Sequence, residues 1–112
     1  MKRIIGIAII LLMSCSAGGG ATGSGDYVVL LHGLGRSASS MEGMARYLSR
    51  MGFAVINEGY PSTNGTIETR AEKNLAETLA GKCPDQSRKI HFVTHSMGGI
   101  VLRYYLKNHE LP

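Results

Sequence analysis

The chain alternates short apolar runs with amphipathic helical stripes three times over, and that order leaves few folds open. Tyr27 to Leu31 is a continuous apolar run, the pattern of a strand covered on both faces in a parallel sheet. Met41, Met44, Ala45, Leu48 and Met51 then fall on one helical face, opened by Ser39 and Glu42 as a capping box and closed by Gly52 just past the helix end. A second strand is expected over 53–57, broken by Gly59-Tyr60-Pro61. A second helix is expected from about Thr66 to Ala80, with Ile67, Ala71, Leu75 and Leu79 inward and Gly81 as its stop. Lys89 to Thr94 reads as the third strand and Met97 to about His109 as the third helix. Such alternation gives a parallel sheet with right-handed crossovers and helices on both faces, an α/β architecture. Ligands of such sheets sit beyond the C-terminal strand ends, so the loops after Leu31, Asn57 and Thr94 are where chemistry is expected.

The folded part is expected over 26–112. Before it, Lys2-Arg3 and the apolar stretch Ile4 to Met13 have the charged and hydrophobic regions of a bacterial export signal. That stretch is too short to span a bilayer, which takes about 20 residues. Leu12-Met13-Ser14-Cys15 has the form of a lipobox, so residues 1–15 are read as a signal peptide whose Cys15 is lipidated after cleavage. Residues 16–25 are a Gly/Ser/Ala/Thr linker with a reach of about 17 Å. An exported protein of the cell envelope, tethered to a membrane through Cys15 or secreted, is the expected localisation.

Charge excludes one class of partner. The formal charge is +4, and without Lys2 and Arg3 ten basic residues face eight acidic ones. The basic residues are scattered, with only Arg88 and Lys89 adjacent, so no nucleic-acid-binding stripe is present. With Cys15 lipidated, Cys83 is the remaining thiol of the sequence. No cofactor and no metal-ligand set is expected.

Val93-Thr94-His95-Ser96-Met97-Gly98-Gly99 lies between a strand and a helix, the setting of a nucleophile elbow of the G-x-S-x-G kind. Such a turn crowds the positions two before and two after the serine. Gly98 meets that demand, and Thr94 stands where glycine is usual. Leu31-His32-Gly33-Leu34-Gly35 follows the first strand, and its glycines leave the Leu34 amide open to the site. With the Met97 amide it would form an oxyanion hole.

On these two segments the chain resembles the α/β-hydrolase superfamily, and within it bacterial lipases and esterases with an H-G-x-G loop and an H-S-M-G-G elbow. The resemblance covers Asp26 to Leu111. It implies a three-layer α/β-hydrolase core, truncated after the nucleophile helix, and hydrolysis of an acyl-ester or lipid substrate through an acyl-enzyme. Ser96 is then the nucleophile, and the Leu34 and Met97 amides the oxyanion donors. His32, Gly33, Gly35, Thr94, His95, Gly98 and Gly99 shape the two turns. It also implies that strand 27–31 lies between 53–57 and 89–94. The strand before Ser96 would be an edge on which Ile90, Phe92 and Val93 present an unpaired backbone row with apolar side chains, and Ile100, Val101 and Tyr104 would lack part of their packing.

The triad is incomplete on this reading. In the family the acid and the histidine follow the serine well downstream, and His109 stands about 20 Å along the same helix. The fragment by itself is therefore expected to be inactive. Two rivals remain at this point. Gly33-Leu34-Gly35-Arg36-Ser37-Ala38 fits G-x-G-x-x-A, with Glu58 at a ribose-binding position, as in a nucleotide-binding Rossmann-like module. The other is a non-catalytic lipoprotein that binds acyl ligands in the same cleft.

Overall fold

The computed structural model describes residues 25–111. The stretch read as a signal peptide, Cys15 and the stretch read as a linker as far as Ser24 lie outside the described residues.

Strands β1 (Tyr27–Leu31), β2 (Ala54–Ile56) and β3 (Ile90–Thr94) form one parallel sheet in the order β2-β1-β3. All five β1 residues are buried, as a central strand covered on both faces demands. Leu31 pairs with Thr94, so the loops leaving β1 and β3 emerge side by side. β2 stops opposite Val29, shorter at both ends than the 53–57 expected. Phe53 and Asn57 have other tasks. The Phe53 amide donates to the Leu48 carbonyl at 3.3 Å and the Gly52 amide to Ser49 at 3.1 Å, the paired bonds of a Schellman helix end. Gly52 takes φ 97°, the left-handed geometry that motif needs. The Asn57 amide group donates to the Ala38 carbonyl at 2.9 Å.

Alternate β1 residues face two different layers. Val28 and Leu30 pack with Ala45 and Leu48 of α1 (Glu42–Arg50) on one side. Tyr27, Val29 and Leu31 pack on the other with Ala71, Leu75, Leu79, Val101 and Leu102. Each fully buried aliphatic side chain contributes about 1.5–3 kcal/mol, and these two clusters fix the three layers.

Ser39 does not open α1 with a capping box. Its hydroxyl bonds that of Ser37 at 2.7 Å, the chain tightens into a 3-10 turn over Ala38–Met41, and α1 starts at Glu42 with no side-chain cap. The second helical region begins as expected, with Thr66 Oγ1 accepting the Thr69 amide at 3.1 Å. α2 (Ile67–Thr69) then runs through a π-helical segment (Arg70–Leu75) into α3 (Ala76–Lys82). The inward stripe repeats strictly every fourth residue, which overshoots a 3.6-residue turn. The wider i to i+5 turns of the π segment absorb that excess and keep Ala71, Leu75 and Leu79 on one buried face. Gly81 does not stop α3, which ends one residue later, because Pro84 disfavours helical backbone at Cys83. Cys83 is buried in the core.

Among the described residues β3 pairs with β1 alone and is an edge of the sheet, as the strand order expected, while its side chains are largely covered. Ile90 and Phe92 are fully buried beneath the helices, and Val93 is half-buried. On α4 (Met97–Asn108), Val101 is buried and Tyr104 partly so, while Ile100 is 57 % exposed.

Candidate active site

β3 ends at Thr94 and α4 begins at Met97, so the chain reverses through His95 and Ser96 alone. Ser96 holds φ 52° and ψ −117°, the one non-glycine residue with positive φ among the described residues. Such backbone costs about 1–3 kcal/mol and persists only where the surroundings impose it. Here the His95 amide donates to the Leu31 carbonyl, Gly98 to His95 and Gly99 to Ser96, each at 3.0 Å. The outcome is an exposed serine at the tip of a strand-to-helix turn. Met97 follows as the first residue of α4, where the amide has no acceptor inside its own helix.

The small residues around the turn are required by contact. A Cβ on Gly98 would stand 2.9 Å from the Leu31 carbonyl carbon. Thr94 fits where a glycine is usual because residue 99 is itself glycine: a Cβ there would come within 3.2 Å of the Thr94 hydroxyl. His95 lies over the neighbouring loop, and a Cβ on Gly33 would meet its Nδ1 at 2.7 Å. The loop after β1 is thereby packed directly against the serine turn.

That loop is also fixed from below. His32 is buried, with its ring stacked on Tyr60 at 4.2 Å between centroids. Its Nε2 accepts the Tyr60 amide at 3.2 Å, so the ring proton sits on Nδ1 and is donated to the Gly33 carbonyl at 3.0 Å. The Tyr60 hydroxyl donates to the His32 carbonyl, and burial pushes that phenol up against the opposing pull of the Arg70 cation. Gly35 turns at φ 68°, and its amide donates to Ser62 Oγ at 3.0 Å. Leu34 stands between these two anchored residues, its side chain exposed.

The contributions of Tyr60, Ser62 and Arg70 were not visible from the residues. Ser62 sits in a polar loop that reads as solvated. Arg70 carried one signal, a cation beside Ala71 at the edge of an apolar stripe, and it is only 4 % exposed.

Several other ionisable groups are engaged with one another. His91 Nε2 lies 3.1 Å from Asp26 at the start of the strands. That contact, more than the desolvation opposing it, holds the Asp26 carboxyl below its ordinary range. His109 pairs with Glu72 and stacks on Tyr105. Glu58, the acid of the nucleotide-binding alternative, accepts from Thr78 at 3.1 Å and faces Lys82 at 3.9 Å. A cavity of about 240 Å³ opens against Leu31, Tyr60, Leu75 and Val101, and Ser96 is not in its wall.

The domain is a parallel α/β sheet whose strand-to-helix turn carries a strained, exposed serine. Over residues 24–110 the chain matches the model of the family described as putative serine esterase (DUF676), and it belongs to that family.

Proposed function

We propose that Ser96 is the nucleophile of a carboxyl-ester hydrolase built on an α/β-hydrolase core. Its Oγ attacks the ester carbonyl as a histidine base takes its proton. The amides of Leu34 and Met97 receive the charge that develops on the carbonyl oxygen. The alcohol leaves with that proton, and water then releases the acid from the acyl-enzyme. The observation that supports this most is the backbone of Ser96, a costly geometry that the core has no use for.

Ser96 in this role requires an acid and a base beyond the residues described: His32 holds the Tyr60 amide, His91 meets Asp26, His95 lies against Gly33 and His109 pairs with Glu72. The substrate is an acyl or lipid ester, and Cys15, as a lipid anchor, holds the domain at the cell-envelope membrane where such esters lie. Hydrolysis of p-nitrophenyl butyrate tests the reading. The 112-residue chain should show no Ser96-dependent turnover, since loss of triad function removes several orders of magnitude in rate. In a longer chain that carries the acid and the histidine, Ser96→Ala should abolish activity. Full activity of that variant would overturn the nucleophile, and Ser96-dependent turnover by the short chain would overturn the placement of the base.

A further inference from the structure

We propose that Ser62 and Arg70 are positioning residues, which strap the loop over 59–65 against the Gly33-Leu34-Gly35 turn and so set the Leu34 amide. This rests on the reading of that amide as an oxyanion donor.

Arg70 is buried, and its guanidinium donates to three backbone carbonyls of one loop. Nε reaches Pro61 at 2.8 Å, Nη1 reaches Gly65 at 2.8 Å and Nη2 reaches Asn64 at 2.6 Å. A planar fork of donors is suited to holding several carbonyls at once, and a lysine ammonium does not reproduce it. Placing a cation here costs desolvation that an apolar residue would avoid. The π-helical segment opens at Arg70 and puts it on the buried face beside Ala71.

The pinned loop transmits that order upward. Ser62, 5 % exposed, accepts the Gly35 amide at 3.0 Å and donates to the Arg36 carbonyl at 3.4 Å. Tyr60 holds His32 by ring and backbone. The two residues grip the turn on either side of Leu34. Without Ser62, Gly35 loses its acceptor at a position where glycine is free to rotate, and the preceding peptide loses its direction.

The test is the rate at which an alkyl fluorophosphonate modifies Ser96 in the full chain, with imidazole in solution as the base. The Oγ–P bond forms as P–F breaks, fluoride leaves, and imidazole takes the hydroxyl proton. The phosphoryl oxygen occupies the oxyanion position. A misplacement of about 1 Å costs roughly 100-fold, so Ser62→Ala should slow labelling about 10- to 100-fold. Its melting temperature should stay within a few degrees of wild type, and the Gly35 amide should exchange faster. Ser62→Thr, which keeps the hydroxyl, should restore the rate, and Arg70→Lys should slow it as Ser62→Ala does. If wild type and Ser62→Ala are labelled at equal rates, the strap is overturned while the nucleophile stands. If the wild-type chain is not labelled at Ser96, the oxyanion reading fails and the strap's role fails with it.

Discussion

Leu31 and Gly98 meet so closely that residue 98 has no room for a side chain: a Cβ built there would lie 2.9 Å from both the carbonyl carbon and the Cβ of Leu31. The contact joins the end of β1 to the first turn of α4, and so joins the two halves of the site.

Gly98→Ala should therefore force the sheet and α4 apart and destabilise the domain by about 1–3 kcal/mol, the usual cost of overpacking. Gly81→Ala is the matched control. Nothing lies within 4 Å of a Cβ at Gly81 inside α3, so that change should stabilise by about 0.5–1 kcal/mol. Urea denaturation of the two variants checks the opposite signs.

Ser96 should be the place where stability is given up for function. Replacing it with glycine removes a strain of about 1–3 kcal/mol and adds back about 0.5–1 kcal/mol of chain entropy. Ser96→Gly should then be more stable than wild type by roughly 1 kcal/mol, and Ser96→Ala, which keeps the Cβ, should not. Equal stability of the two variants in thermal melts would show that the serine backbone is not strained.

Asp26 gives the domain an acid-sensitive clamp. Its carboxylate accepts from the Lys89 amide at 3.1 Å and contacts His91 at 3.1 Å, tying the start of β1 to the start of β3. The carboxyl titrates lower in the folded state than in the unfolded chain. The unfolded chain therefore binds the proton first, and the clamp's contribution is fully present above the ordinary carboxylate range of about 4. It is lost as pH falls through the folded value. The stability gap between wild type and Asp26→Asn, measured by urea denaturation, should close as pH falls below about 4.

Much of this was legible in the residues where local pattern and tertiary packing agree. The apolar run of β1, the glycine ending α1, the serine turn and the strand order all follow from periodicity and from the resemblance. What was not legible depends on contacts closed late in space. Ser39 and Glu42 have capping-box spacing, but the Ser37 hydroxyl claims Ser39. The four-residue stripe over 67–79 marks a helix without saying that its middle must widen. β3 is the edge strand that the order implied, but that order does not say that Ile90 and Phe92 are covered by the helices crossing the sheet. The strap of Ser62 and Arg70 joins residues that neither spacing nor composition connects.

Whether Ser96 is the nucleophile is read most directly from the site of covalent modification by the fluorophosphonate with imidazole present. Trypsin cuts after Lys89 and Arg103, so the turn is recovered as the peptide Ile90 to Arg103, in which Ser96 is the only serine. The phosphonyl mass should appear on that peptide in wild type and be lost in Ser96→Ala, with the exposed serines at 37, 39 and 40 unmodified. Equal modification of those serines, or adduct persisting on the peptide in Ser96→Ala, would contradict Ser96 as the nucleophile.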